Sequence, residues 1–327
     1  MTRIITVCLK HSVKQLAENV KALAIFNVIG LSALSVASVQ AESIYEKPVE
    51  FPVVKPQVAY SKVTELEFRR HNEKIKYGTD PLQFGLLWKP AAPMNKPSQQ
   101  TKATANNAND STLTKPIIIL IHGGCWLSAF DIAHTYPLAT HLSQQGYPVY
   151  SLEYRRTGNK GGGWPGSFND IQQGVRSLTK LSEFNLDVSR YILMGHSAGG
   201  HLALLAASDL NKQPLVESNL VATVGLAAIT DIAQYAKGSN SCQTATPKFM
   251  GGSVEEKALA YQAANPINHD LPDNVHLLIG NADSIVPMDQ SSLNKARTKI
   301  IKDAGHFDWI HPGSPAIKSL VTLLNTF

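Results

Sequence analysis

Apolar residues fall in short unbroken runs along this chain, without the every-second-residue rhythm of a half-exposed strand. The runs at 117–121, 147–153, 191–194, 222–228, 275–279 and 298–302 have the continuity that strands covered on both faces require. Between them, apolar positions recur at helical spacing over 133–145, 168–182, 199–210, 287–296 and 315–324. Such alternation predicts one mostly parallel sheet between two helical layers, with right-handed crossovers. Ahead of it, 74–77 and 82–89 flank Gly78-Thr79-Asp80-Pro81 and predict an antiparallel strand pair joined by a turn. Residues 234–268 break the rhythm and predict a small excursion on the ligand side of the sheet.

Three polar or irregular stretches set the boundaries. Residues 42–73, with Pro48, Pro52 and Pro56, form an extended lead-in to a single α/β domain over 74–327. Within that domain, 90–115 shifts to Asn, Thr, Gln, Ser, Ala and Lys. That composition buries too little apolar area to offset ordering, so a mobile surface loop is expected. The first 41 residues differ from the rest: Arg3, Lys10, Lys14 and Lys21 precede an apolar, serine-diluted run over 22–39, and Val39-Gln40-Ala41 offers small residues at a cleavage site. This is the layout of a secretory signal peptide cut after Ala41, giving a periplasmic or secreted chain with no stable membrane insertion. An uncleaved anchor through 22–39 is the rival.

Charge follows from that division. Less the four bases and one acid of residues 1–41, the chain's 30 bases and 25 acids become 26 and 24, so the formal net charge falls from +5 to +2. No basic run interleaved with aromatics remains, which excludes a nucleic-acid surface. Cys8 leaves with the signal. Cys125 and Cys242 remain and could pair in an oxidising compartment, but the place of Cys125 inside a backbone-donor motif argues against a disulfide. No spacing of His and Cys resembles a metal site, and no cofactor is implied. The sequence sets no oligomeric state.

The chemistry centres on Gly195-His196-Ser197-Ala198-Gly199, which follows an apolar run and precedes an Ala-rich helical stretch. A serine on a sharp strand-to-helix turn has its hydroxyl lifted clear of the sheet edge, as an activated nucleophile needs. Such a serine requires a base and an acid to orient that base. His306, just past the last short strand, is the expected base, ahead of His269 and His311 in loops taken as solvated and His276 in a strand. Asp283, in the segment before Pro287, is the expected acid; Asp231 is the alternative, with helix capping as its other role. Asp289 and Asp303 are expected as surface carboxylates.

Backbone N–H donors for a developing oxyanion are expected from Gly124 and Cys125 in His122-Gly123-Gly124-Cys125-Trp126, and from Ala198; Gly123 could replace one of them. Trp126 would wall an acyl pocket or pack in the core. The glycine-rich stretch 158–166 lacks the G-K-[ST] ending of a phosphate loop and is expected on the binding face.

With these motifs placed, the chain resembles the α/β-hydrolase superfamily, and within it the small esterases and aryl formamidases with an H-G-G-x-W motif. The likeness rests on His122–Trp126, Gly195–Gly200, Asn265-Pro266-Ile267-Asn268-His269 and Gly280–Pro287, and spans residue 74 to the C-terminus. It implies the α/β-hydrolase fold, with Ser197 as nucleophile, Asp283 as orienting acid and His306 as general base. It also implies a small-molecule ester or amide substrate cleaved through an acyl-enzyme. Cys125 stands where related hormone-sensitive-lipase-type enzymes have a third glycine. An export signal fits poorly with cytosolic tryptophan breakdown, so ester hydrolysis ranks above aryl formamidase or amidase activity. A non-catalytic binding protein ranks below both, since all three candidate side chains are kept. A prolyl-oligopeptidase-type peptidase ranks lower again, because the chain is too short for an added propeller.

Overall fold

The computed structural model describes residues 47–90 and 114–327. The expected signal segment 1–41, residues 42–46 of the lead-in and residues 91–113 of the polar loop lie outside the described residues.

Eight strands form one sheet: β1 (Glu73–Lys76), β2 (Phe84–Trp88), β3 (Ile117–Ile121), β4 (Val149–Leu152), β5 (Arg190–His196), β6 (Asn219–Leu226), β7 (Val275–Gly280) and β8 (Arg297–Ile301). Their order is β1-β2-β4-β3-β5-β6-β7-β8. β2 runs antiparallel to both β1 and β4, and every other neighbouring pair is parallel. The expected turn between β1 and β2 is closed by Gln83 N–H on Asp80 O and by Leu82 N–H on the Asp80 side chain.

The unbroken apolar runs are explained by burial on both faces. Ile117, Ile119, Ile121, Tyr191 and Leu193 point into one core, with Ile171 and Val175 of helix Gly166–Arg176 and Leu202, Ala203 and Ala206 of helix Ala198–Lys212. Ile118, Leu120, Ile192 and Met194, the alternate positions, point into the other core. There they meet Leu138 and Leu142 of helix Tyr136–Gln144 and Ile317 and Leu320 of helix Pro315–Leu324. At about 25 cal/mol for each Å² of apolar surface removed from water, these two layers dominate the stability. β8 lies at the sheet's edge and is largely exposed.

The chain departs from expectation in two places. The helix expected over 287–296 is a single 3-10 turn, Met288–Ser291. Gln290 is buried, and its side-chain carbonyl accepts the Thr230 and Asp231 N–H groups at 2.9 and 2.8 Å, which fixes this segment irregularly against β6. The lead-in is not wholly extended: Tyr60–Thr64 is helical and buries Val63. Its Gln57 N–H donates to Asp308 at 2.8 Å and its Val54 N–H to Gly313 O at 3.1 Å. The excursion after β6 consists of three short helices, Ile232–Tyr235, Ser241–Met250 and Ala258–Ala264. Among the described residues no helix is long and apolar enough to cross a membrane.

From β3 the chain runs outward to β4, then crosses back to β5 on the other side of β3. That reversal opens a crevice at the carboxyl ends of β3 and β5. Helix Ala198–Lys212 starts so close to β3 there that a Cβ on Gly199 would lie 2.2 Å from Ile121 O and 2.4 Å from His122 O. In an ordinary helix, Gly→Ala is stabilising by about 1 kcal/mol. Here the sign reverses: Gly199→Ala is expected to lower unfolding free energy by about 3 kcal/mol, measured by urea denaturation, because the obstructing atoms are backbone.

Candidate active site

Five segments end on this edge of the sheet. β3 leads into residues 122–126, β5 into Ser197, β6 towards Asp231, β7 towards Asp283 and β8 towards His306.

Ser197 occupies the turn between β5 and its helix at φ 56°, ψ −122°, a conformation that costs a non-glycine residue about 1–3 kcal/mol. Its surroundings hold it there: its N–H donates to Leu226 O at 2.8 Å and its carbonyl accepts from His201 N–H at 3.1 Å. His306 Nδ1 lies 2.7 Å from Asp283 Oδ2, and both side chains are buried. The other Asp283 oxygen accepts the Ile285 and Val286 N–H groups, each at 2.8 Å. A carboxylate so bonded faces the ring as an acceptor, so Nδ1 carries the proton and Nε2 keeps a lone pair. The His196 ring stands 4.6 Å from that of His306, centroid to centroid, and its Nε2–H donates to His306 O at 3.0 Å. His306 is thereby brought beside the residue preceding Ser197.

Three of the other histidines, His134, His196 and His201, are poor bases. Burial, reinforced by His306, holds His196 well below the usual imidazole range, and burial lowers His134 to about 3 and His201 to about 4. His276 is buried in β7 as expected. His311 was expected in solvent, but it is buried and its pKa is lowered by that burial. His269 is partly exposed and bonds Ala263 O. Asp231 caps helix Ile232–Tyr235, accepting Gln234 N–H at 3.0 Å and the Asn265 amide at 2.8 Å; among the described residues it bonds no histidine.

Residues Gly124, Cys125 and Trp126 all have positive φ, at 104°, 52° and 56°. Successive residues in such conformations turn their N–H groups to one side. Among the described residues, neither the Gly124 nor the Cys125 N–H donates to a protein acceptor. A Cβ on Gly123 would fall 3.0 Å from Ser197 Cβ, so this segment abuts the serine. Ala198 opens the elbow helix with its N–H in the first turn, where such groups lack intrahelical partners. Trp126 is fully buried and stacks on Phe249 at 4.8 Å, so it packs in the core.

Cys125 and Cys242 are joined by a disulfide, their Cα atoms 5.0 Å apart, contrary to the expectation from sequence. Backbone donation by Cys125 and a bond through its sulfur point in different directions from one residue, so the first does not exclude the second.

A second polar cluster, not singled out in the sequence, lies under the same loop. Glu153, at the end of β4, bonds His122 Nε2 at 3.0 Å, Arg156 at 3.0 Å, and the N–H groups of Tyr154 and Ile132. His122 Nδ1 in turn faces Gly123 O at 2.8 Å, and the Tyr154 hydroxyl donates to His122 O at 3.0 Å. Burial acts to raise the Glu153 pKa, but His122, Arg156 and the Tyr154 N–H together hold it below the ordinary glutamate value. The available signal was Glu153-Tyr154-Arg155-Arg156, a charged group at the carboxyl end of an apolar strand beside β3. Arg155 forms a bonded pair with buried Asp170 at 2.6 Å, fixing the start of the glycine-rich loop. That loop packs on the excursion, Trp164 N–H donating to Phe249 O at 2.8 Å. Among the described residues no group of three or more His, Cys, Asp or Glu could hold a metal ion.

The family model described as BD-FAE matches residues 105–297. A probable carboxylic ester hydrolase of Mycobacterium tuberculosis, LipM, is 27% identical over 194 residues, which are 56% of this chain and 44% of that protein. Esterase LipQ of the same organism is 26% identical over 200 residues, 58% of this chain and 46% of its own. The chain thus spans less than half the length of these curated relatives. Among solved structures, Esterase B from Lactobacillus rhamnosis superposes with a TM-score of 0.60 at 22% identity, over 80% of this chain and 87% of that one. The fold is that of an α/β-hydrolase, with the antiparallel strand pair at its N-terminal end.

The Glu153 cluster has a consequence for acid stability. Its folded pKa lies below the unfolded value of 4.5, so its contribution is complete above pH 4.5 and is lost as pH falls through the lower folded value. Between pH 5 and 3, by thermal melts, the native chain is expected to lose more Tm than Glu153→Gln, which has no such proton to take up.

Proposed function

This chain belongs to the BD-FAE family, and on that premise we propose that it is an exported serine hydrolase cleaving small carboxylic esters through an acyl-enzyme on Ser197. The observation that carries the proposal is the 2.7 Å bond from His306 Nδ1 to Asp283, with the His306 ring 4.6 Å from that of His196, the residue before a serine held on a strained turn.

In this reading, the Ser197 hydroxyl attacks the ester carbonyl while His306 Nε2 takes its proton. Asp283 keeps Nδ1 protonated and stabilises the imidazolium that forms. The oxygen's negative charge is met by the N–H groups of Gly124, Cys125 and Ala198, already aimed before substrate arrives. Collapse expels the alcohol, which takes the proton from His306. Water, deprotonated by His306, then attacks the acyl-enzyme by the same route and releases the acid. Neutral His196 beside His306 leaves the imidazolium without a second positive charge to oppose it. The names of LipM and LipQ, both ester hydrolases, support the choice of bond. The signal-like residues 1–41 and the Cys125–Cys242 disulfide both suit an oxidising compartment outside the cytoplasm.

Purified chain is expected to hydrolyse p-nitrophenyl acetate, and faster than a formyl anilide; faster anilide turnover would make it an amidase. Ser197→Ala is expected to lower kcat about 10⁶-fold. Asp283→Asn is expected to lower it about 10⁴-fold, since the imidazole loses its orienting acceptor. Asp231→Asn caps its helix as well as Asp does, so kcat is expected to stay within about twofold of native.

A further inference from the structure

Three successive positive-φ residues are not self-supporting, because two of them, Cys125 and Trp126, carry side chains that disfavour this region. The segment is held from outside. Leu127 N–H donates to Gly124 O at 2.9 Å and Thr157 N–H to Trp126 O at 2.8 Å. Cys125, between these two anchored carbonyls, is fixed by its sulfur to Cys242.

Cys242 stands in the first turn of helix Ser241–Met250. The cap of that helix, Asn240, accepts the Cys242 and Gln243 N–H groups at 3.1 and 3.0 Å. The Asn240 amide also donates to Ile285 O at 2.9 Å, and Tyr235 OH donates to the same carbonyl at 3.0 Å. Ile285 N–H is one of the two donors that hold Asp283. A covalent bond thus ties a candidate oxyanion donor to a helix whose cap is hydrogen-bonded to the loop that carries the candidate acid. The two cysteines are 117 residues apart in sequence.

We propose that Cys242 is a positioning residue: through its disulfide it fixes the Cys125 N–H towards the oxyanion, so that hydrolysis is fast only while the pair is oxidised. This rests on the reading of Ser197 as the nucleophile of an ester hydrolase. Both cysteines are nearly buried, so a small dithiol or a protein dithiol acts only when the excursion loosens. Its thiolate attacks one sulfur, forming a mixed disulfide and releasing the other cysteine as thiolate. Its second thiol then displaces the first cysteine. Two electrons and two protons pass to Cys125 and Cys242, and the reductant leaves as its own disulfide. Both cysteines belong to one core of the sheet, with Trp126 and Phe249, and the other core holds neither, so the fold is expected to survive loss of the bond while the donor loop slackens.

The test uses the full chain purified without reductant, assayed with p-nitrophenyl acetate before and after dithiothreitol has exposed two further titratable thiols. Removing an oxyanion donor costs about 10²–10³ in kcat; a slackened donor is expected to cost about tenfold or more, with KM changed by less than about twofold. Near-UV circular dichroism is expected to hold, and reoxidation to restore the rate. Cys242→Ser is expected to show the reduced rate whatever the redox state; if that variant does not fold, the reduction of native chain decides. The proposal is overturned if chain with both thiols free keeps the oxidised kcat. It is equally overturned if kcat and the near-UV signal fall together at every reductant level, which would make the bond a staple for the fold. An oxidised chain that neither hydrolyses ester nor takes a fluorophosphonate on Ser197 would instead remove the underlying reading of the site.

Discussion

The close approach of the elbow helix to the end of β3 is the constraint on which the rest depends. With no side chain at Gly199, the helix start comes within what would be 2.2 Å of the Ile121 carbonyl for a Cβ. This crowding sets Ser197 beside Gly123 and brings the candidate donor loop and the candidate nucleophile to one place. Strain at Ser197 and at residues 124–126 follows from it, since both turns must reverse within a few residues. The cost is spread over neighbours that are themselves rigid: β6 through Leu226, and the excursion through Phe249 and Cys242.

Rigidity beneath these turns comes from buried polar groups, each almost fully bonded. Glu153 serves His122 and Arg156, Asp170 serves Arg155 and Gln83, and Gln290 serves Thr230 and Asp231. A charge buried in this way is weak as a source of stability but strict about geometry, because a half-satisfied partner is worse than none. The three clusters lie under the donor loop, the glycine-rich loop and the β6 edge, where backbone leaves regular structure. Apolar packing shapes the sheet, and buried polar bonds, two of the three clusters ionic, shape its rim.

The central fold was legible in the sequence because burial on both faces leaves a local mark. β3 and helix Pro315–Leu324 were bounded correctly, since an unbroken Ile-Leu run and a regular apolar stripe admit little else. The candidate site was legible where a motif records a backbone need, as around Ser197. What failed to show was contact between distant residues. Nothing near Cys242 indicates Cys125, and nothing near Gln290 indicates that its amide turns inward and ends a helical pattern. His311 looked like a loop residue beside Pro312, yet the loop is covered. Glu153 closed an apolar strand run, and nothing local shows that its partner His122 comes from the segment after β3.

Asp308 joins the two ends of the described chain. Its carboxylate accepts Gly305 N–H at 2.6 Å, next to His306, and Gln57 N–H at 2.8 Å, 251 residues away. The backbone that clamps the turn carrying His306 is synthesised well before that turn. A nascent chain therefore cannot close this clamp until residues 305–308 have emerged and met a segment made about 250 residues earlier.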